Sequence, residues 1–407
     1  LELEGVDVSD ITFIKKYNPK KKPIMNQWVI TTYGMMRNKK LKQWIMHHMF
    51  VTVIADEGHY LKRLKSQQTK DTIRGTRQIP NRIEMTATPI GNDPGDIFSQ
   101  AKFVDDGATF GKDWWDFMNK YYIKPEGSSA WCIKRDSKKK MRQKMTNFSY
   151  GYMDEGVLKL PKSRYVTKAV EMTPKQKKMY NDVLTQWEYE LDNGEVVELK
   201  HVIVQMAKLR QIASGFIYDR EGKPQYITCS KLALLKELMT TPEYLMNIPK
   251  LVIWCSFTAE ILMVAKLMKQ LKKKAVLFYG SDDDRNLASR KMFRDKKSVK
   301  VFIGQVESGT GINELICSGN AVYFSNSLKV ISRTQSEGRT RRKGSEKLFD
   351  HVTYWNLLSE DSIDEVILQS INKSISVADY ILGEIQKGVR PSRLLKLKRN
   401  SKKLEKE

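Results

Sequence analysis

The 407-residue sequence predicts an α/β protein built from two doubly wound parallel-sheet lobes with a helical insertion between them. Three observations lead there. Short apolar, β-branched runs alternate with helical stretches through most of the chain, and a pair of helical stripes interrupts them near the middle. Polar and glycine-containing clusters then recur just past strand ends. Repeated β-α-β with short connections means parallel strands, and such sheets bind ligands beyond the carboxyl ends of their strands.

Trp28–Thr32 and Val51–Ala55 are continuous runs of the kind expected for strands buried on both faces of a parallel sheet. Arg82–Thr86 is a weaker strand, entered after Pro80 and left at Pro89. The aromatic-rich segment from Phe110 to Tyr122 is expected to pack on this first lobe. At Thr173-Pro174-Lys175-Gln176 a helix starts, with Thr as N-cap, Pro at the first helical position and Gln closing a capping box. Apolar residues follow at Tyr180, Val183, Leu184, Trp187 and Leu191. A second stripe at Leu199, Val202, Ile203, Met206 and Leu209 stops near Gly215. From Ser230 the alternation returns, with strands at Leu251–Cys255, Ala275–Tyr279, Val299–Ile303, Ala321–Phe324 and His351–Trp355. The resulting boundaries are a first lobe over 1–159, a helical insertion over 160–228, a second lobe over 229–387 and a basic tail over 388–407.

Hydrophobic content of 41% and charged content of 29% describe a globular chain, without an apolar run long enough to span a bilayer. No secretory signal pattern opens it, so a cytoplasmic, nucleoid or nuclear site is expected. The four cysteines are far apart and form no C-x-x-C pair, which points to reduced thiols rather than a zinc site or disulfides. A net charge of +24 favours a polyanionic partner. The cations cluster at Lys15–Lys22, Lys134–Lys144, Lys269–Lys274 and from Arg390 onward, and no basic amphipathic helix with a wide apolar face argues for a membrane.

The chemistry-bearing groups follow the strands. Asp56-Glu57 ends Val51–Ala55. A carboxylate there can hold Mg²⁺ on the phosphates of a nucleoside triphosphate, and an adjacent Glu can take a proton from an attacking water. An acidic surface turn would look the same in isolation. Thr86 and Thr88, around Ala87 and before Pro89, offer hydroxyls that can couple those carboxylates to the rest of the fold. Gly309-Thr310-Gly311-Ile312-Asn313 is either an ordinary turn or a loop whose amides approach a phosphate. Arg339 and Arg342 lie three apart, which would share one helical face, downstream of Gln335 and Gly338. Arginines presented to a triphosphate on the other lobe would stabilise the transferring charge.

Taken together, in this order, these residues resemble the superfamily-two helicase-like ATPases, and among them the Swi/Snf-related DNA translocases. The resemblance extends from about Trp28 to about Ile371. Thr31-Thr32-Tyr33 resembles motif Ib, Asp56-Glu57-Gly58-His59 the DEAH-like box, and Thr86 to Asn92 the T-G-T-P signature. Leu209-Arg210-Gln211 is similar to an element of the family's helical protrusions, and Val252–Phe257 to motif IV. Gln335, Gly338, Arg339 and Arg342 are similar to motif VI. The resemblance implies RecA-like lobes and an ATP hydrolase using Mg²⁺ and moving along or remodelling double-stranded DNA. Asp56 would be the metal ligand, Asp56, Glu57, Arg339 and Arg342 the catalytic groups, and His59, Thr86, Thr88 and Gln335 the coupling groups. Gly309, Gly311 and Gly338 would approach the cofactor. Nucleic-acid contacts would fall on Thr31, Thr32, Tyr33, Ser256, Phe257, Thr310 and Asn313.

Three departures stand out. Gly304-Gln305 occupies the place of a hydroxyl residue in motif V, and Gly58 that of an alanine. No G-x-x-x-x-G-K-[ST] phosphate loop occurs in the sequence. The nearest fragments, Gly111-Lys112-Asp113 and Gly222-Lys223-Pro224, lack the preceding glycine and the hydroxyl. The expectation is that an N-terminal extension carries this loop and that the Asp56 strand, without it, exposes an apolar edge. Two other readings compete with the DNA translocase: a nucleic-acid-binding scaffold that no longer hydrolyses ATP, and an RNA helicase of the same superfamily.

Overall fold

The computed structural model describes residues 7–18, 28–86, 95–124, 131–151, 159–192, 199–280, 282–308, 312–373, 377–387 and 389–395. Its contacts divide the chain into two compact units, Leu1–Gly151 and Tyr152–Glu407.

In the first unit β1 (Ile11–Ile14) pairs in parallel with β2 (Trp28–Thr31). Helix α1 (Lys39–His47) starts where Asn38 caps the amides of Lys40 and Leu41, and it buries Leu41, Trp44 and Ile45. Strand β3 (Thr52–Asp56), helix α2 (Gln67–Thr76) and strand β4 (Asn81–Met85) follow, with β3 and β4 parallel and Asp56 opposite Met85. Buried Asp71 of α2 is ion-paired to Lys42, which ties α2 to α1. Helices α3 (Asp96–Asp105), α4 (Trp114–Tyr121) and α5 (Ser137–Met145) enclose a cluster of Phe98, Phe110, Phe117, Tyr121 and Met141. A short antiparallel pair, β5 (Tyr122–Ile123) and β6 (Cys132–Ile133), joins the last two.

The structure corrects one expectation here. β2 is not buried on both faces, with Ile30 37% exposed, and neither is β3. Its inner residues Val53 and Ala55 pack with Leu61, Ile73 and Phe103. On the opposite face Ile54 and Ile83, paired across the strands, remain 43% and 46% exposed. Among the described residues this sheet has two strands, and alternation sends every second side chain to the bare side.

The second unit is organised by one six-stranded, all-parallel sheet. Its order is β11 (Ala275–Phe278), β12 (Val301–Gln305), β10 (Leu251–Cys255), β13 (Asn320–Tyr323), β14 (His351–Ser359) and β7 (Lys162–Val170). The central strand β10 is buried at every position, and apolar clusters fill both faces of the sheet. The nine-residue edge strand β7 has no apolar run to betray it, because most of its residues face solvent. It therefore turns part of the expected helical insertion into sheet.

After β7 the insertion is a helical hairpin, α6 (Pro174–Asp192) and α7 (Leu199–Ala213), followed by the short strands β8 (Phe216–Tyr218) and β9 (Pro224–Tyr226). Gln176 closes the expected capping box with Thr173. It is fully buried, and its amide also donates to the Ile212 carbonyl while its oxygen accepts from Ser230 N–H. Tyr180, Leu184, Trp187, Val202, Met206 and Leu209 form the hairpin core, whereas Ile203 of the expected stripe faces solvent. Helices α8 (Ser230–Thr240), α9 (Thr258–Gln270), α10 (Asp283–Asp295) and α11 (Val330–Thr340) cover the sheet connections. Helices α12 (Ile363–Asn372), α13 (Val377–Gln386) and α14 (Pro391–Leu395) add Ile363, Ile367, Ile381 and Leu395 to the hairpin core. The start of the expected basic tail is thus a packed helix; residues 396–407 lie outside the described residues.

Lys231 of α8 is fully buried, with Nζ 2.8 Å from Asp364 and 3.2 Å from the Ser214 hydroxyl. Removing one partner strands the other charge. Lys231→Met is expected to cost about 3–5 kcal/mol in chemical denaturation followed by circular dichroism. An unchanged midpoint would show that water already solvates the pair.

Candidate functional site

In the first unit the site is built from the turn that leaves β3. Asp56 ends the strand exposed, and its carboxylate accepts the Glu57 amide at 3.0 Å. Glu57 adopts a left-handed backbone (φ 51°), uncommon for a residue with a side chain. That conformation swings the chain into the single turn Gly58–Leu61 and aims the Glu57 carboxylate back at His59, Oε2 to Nδ1 3.0 Å. Burial lowers the His59 pKa against the pull of Glu57, so the ring is neutral near pH 7 and lies against the carboxylate.

The Tyr33 hydroxyl donates to the Asp56 carbonyl at 2.8 Å. Burial and the carboxylates of Glu84, Asp56 and Glu57 push this phenol far up, so it stays a donor. Of the three residues expected on nucleic acid here, Tyr33 is therefore engaged with the acidic turn. Thr31 spends its hydroxyl on the Ile14 carbonyl, and Thr32 is exposed with its oxygen accepting Met35 N–H. Parallel pairing of Asp56 with Met85 brings half-buried Thr86 to the strand end that carries Glu57. Thr88 lies outside the described residues.

One acidic residue escaped the sequence reading. Glu84, paired with Ala55 on the inner face of β4, lies directly over Gly58. A Cβ added to Gly58 would sit 2.0 Å from Glu84 Cγ and 2.3 Å from its carboxylate. Burial pushes the Glu84 carboxyl up to about 7. Gly58 and Glu84 are thus steric complements, and the missing methyl of one makes room for the side chain of the other. A carboxylate between Ile83 and Met85 in an apolar strand was the available signal.

The Gly111-Lys112 fragment is a connection between α3 and α4, away from any strand end. Gly107 and Gly111 take φ of 92° and 93°, and the Gly111 amide closes onto the Gly107 carbonyl at 2.9 Å.

In the second unit, Ser256 and Phe257 follow β10. Ser256 is buried, and both backbone amides donate to Glu260, at 2.8 and 3.0 Å. Gln305, at the end of β12, donates to the Ser256 carbonyl at 3.4 Å. Gly309, Thr310 and Gly311 lie outside the described residues. Half-buried Gln335, Gly338 and Arg339 lie on α11. A Cβ on Gly338 would meet nothing within 4 Å, so packing does not require a glycine there. Arg342 does not share the helical face of Arg339. The helix ends at Thr340, because Arg341 turns away to donate to the Pro161 carbonyl and the Arg342 amide donates to Ser345 Oγ. The Arg342 guanidinium is instead hydrogen-bonded to Asn313 Oδ1, joining two of the expected site residues.

No group of three His, Cys, Asp or Glu side chains among the described residues could hold a metal ion. Asp56, exposed at the strand end, offers a single carboxylate to a cation.

Two outcomes test the acidic turn. Gly58→Ala is expected to destabilise the first unit by about 1–3 kcal/mol through overpacking, and the added Glu84→Leu to recover most of it in thermal denaturation. An innocuous single Gly58→Ala would refute the steric pairing. Burial raises the folded Glu84 carboxyl from the ordinary 4.5 to about 7, so the folded state binds the extra proton. Its contribution is therefore full below about pH 4.5 and lost as pH rises through about 7. Glu84→Gln should flatten this fall in a melting-temperature series.

The profile of the SNF2-related domain family matches residues 9–215. The chain is 23% identical to the ATP-dependent helicase fft3 of Schizosaccharomyces pombe, over 88% of this chain and 46% of that protein. It is 22% identical to the ATP-dependent helicase FUN30 of Saccharomyces cerevisiae, over 87% and 37%. Identity to the ATP-dependent DNA helicase DDM1 of Arabidopsis thaliana is also 22%, over 91% and 50%. The chain therefore spans half or less of the length of these relatives. The Sulfolobus solfataricus SWI2/SNF2 ATPase core in complex with dsDNA aligns with a TM-score of 0.47 at 19% identity, covering 96% of this chain and 81% of that one. The matched segment is just over half of the 407 residues, and the chain belongs to the SNF2-related domain family.

Proposed function

We propose that this protein is a DNA-stimulated ATP hydrolase that couples hydrolysis to movement along, or remodelling of, duplex DNA. The observation that carries the reading is the acidic turn, in a chain of this family. An exposed Asp56 at a parallel strand end stands beside a Glu57 whose carboxylate is oriented by a buried, neutral His59. In this reading Asp56 holds the Mg²⁺ of a bound ATP, and Glu57 takes the proton of the attacking water. Mg²⁺ supplies charge neutralisation on the phosphates. Arg339 and Arg342 meet the triphosphate, Thr86 and His59 couple the turn to its surroundings, and Tyr33 fixes the Asp56 backbone. No helix among the described residues is long and apolar enough to cross a membrane, and we place the protein with nucleic acid in the cytoplasm, nucleoid or nucleus.

The DNA part of the proposal rests on the charge of the first unit. Lys140, Gln143, Lys144 and Asn147 recur at helical spacing on and just beyond α5. With Lys120 and Tyr121 they line a cleft of about 350 Å³. Lys134, Arg135, Lys138, Lys139 and Arg142 are exposed around it. Such a surface suits sequence-independent phosphate contacts. Replacing Lys138, Lys139 and Lys140 together by Gln should flatten the dependence of log affinity on log salt by about 0.9 per lost phosphate contact. An unchanged slope would remove this face from the DNA path.

The absence of a G-x-x-x-x-G-K-[ST] sequence favours a second reading, a nucleic-acid-binding scaffold without hydrolysis. ATP turnover by the 407-residue protein, with duplex DNA, with RNA and with neither, beside Glu57→Gln, separates the readings. Turnover stimulated by DNA and abolished in the variant is the expected result. Stimulation by RNA alone would make the substrate RNA. Salt-sensitive DNA binding without turnover would leave either the scaffold or a hydrolase whose phosphate loop lies outside these 407 residues.

A further inference from the structure

Helix α11 buries a polar face. Its inward positions Ser332, Arg333, Ser336 and Thr340 are all buried, where an amphipathic helix ordinarily turns apolar residues to the core. Each is anchored. Arg333, 3% exposed, lies with its guanidinium carbon 3.4 Å from the Tyr323 ring centre. Its Nη1 donates to Asn326 Oδ1 at 2.5 Å and Asn356 Oδ1 at 2.7 Å, and its Nε to Glu337 Oε1 at 2.6 Å. Glu337 accepts from the Tyr165 hydroxyl at 3.0 Å, and its backbone carbonyl accepts from Tyr354 at the same distance. Ser336 and the Tyr323 hydroxyl are 2.7 Å apart. Helix α11 is thereby fixed to strands β13, β14 and β7.

Asn326 has a second partner. Its backbone carbonyl accepts from Arg210 Nη2 at 2.6 Å. Arg210 belongs to the helical hairpin, is buried, and has its guanidinium 4.9 Å from the Phe257 ring. One residue thus joins the hairpin, through its main chain, to α11, through its side chain. An apolar seam would let α11 rotate or slide at little cost. Arg333, with three acceptors in fixed directions and an aromatic ring beneath it, permits one rotation. Arg339 lies on the same helix, less than two turns along.

We propose that Arg333 is a positioning residue, and that the Arg210–Asn326–Arg333 relay transmits the placement of the helical hairpin to the helix that carries Arg339. This rests on the reading of Arg339 as a phosphate-facing group. Holding such a group in place matters in the transition state more than in the bound ground state, so its loss falls on kcat rather than KM.

The test uses the full chain with Arg333→Met, Arg210→Met and the double variant. It reads DNA-stimulated turnover and, separately, hydrogen exchange of the α11 amides. Arg333→Met is expected to lower kcat about tenfold with KM for ATP within about twofold. Arg210→Met is expected to speed exchange in α11 although its hydrogen bond toward that helix goes to the Asn326 carbonyl and not to α11 itself, and the double variant to add little to Arg333→Met alone. Unchanged α11 exchange in Arg210→Met, or strictly additive effects, would overturn the relay. A rise in KM with kcat intact would overturn the positioning role. If Arg333→Met fails to fold, Asn356→Ala removes one of the three acceptors of Arg333, and a smaller fall in kcat with KM within about twofold is expected. If these 407 residues alone show no turnover, the exchange measurements alone decide the relay.

Discussion

A parallel sheet delivers every strand to the same edge, and the polar organisation of the second unit depends on how that edge is satisfied. Strand β10 ends into Ser256, β12 into Gln305, β13 into Ser325 and Asn326, and β14 into Ser359. All of these sit against apolar strands, where an unpaired polar group is expensive. The hub is the Glu260 carboxylate, wholly buried, which accepts the amides of Ser256 and Phe257 and the hydroxyl of Ser325. Because it lies in the first turn of α9, the helix dipole also favours its charge. Beyond it stand Arg210 and the Lys231–Asp364 pair, so a buried acid is compensated by buried bases instead of by water. The backbone after β10 is consequently held by a side chain four residues ahead, and the neighbouring loops by each other.

The sequence disclosed what repeats and hid what is singular. The strands β10 to β14 were legible because each is an apolar run bounded by turns, and the capping box at Thr173 named its helix correctly. Strand β7 was not legible, since an edge strand with polar exposed residues has neither an apolar run nor strict alternation. β1 is four residues long and offers little pattern at all. Among site residues, the order Asp56, Glu57, His59 was readable, but the geometry that links them comes from the positive φ of Glu57, which no composition signals. Arg339 and Arg342 were placed on one helical face by spacing alone. Local hydrogen bonds of Arg341 and Ser345 end the helix between them.

Two apparent irregularities in the motifs become consequences of packing. Gly58 is compelled by Glu84, whose side chain fills the space a methyl would need. Gly304 is compelled from the other side of the residue pair it belongs to. A Cβ there would lie 2.7 Å from Phe302 and 2.9 Å from Trp254, two rings packed edge to face in the core. With its neighbour so confined, Gln305 is left to cross the strand end to the Ser256 carbonyl. In both cases a neighbour chosen in a distant strand decides which residue the motif can carry, so a motif position cannot be judged apart from the core behind it.

The units also differ in what their sheets can supply to a site. In the second unit both faces of the sheet are covered, and the polar edge is cross-linked by buried hydrogen bonds. In the first unit the β3–β4 pair is packed on one side, and the acidic turn is held chiefly by Tyr33, His59 and Glu84. Free energies of local opening scale with buried apolar contact and protected backbone hydrogen bonds. Within the acidic turn the roles are divided: Tyr33 holds the Asp56 carbonyl, His59 faces the Glu57 carboxylate, and Glu84 packs over Gly58.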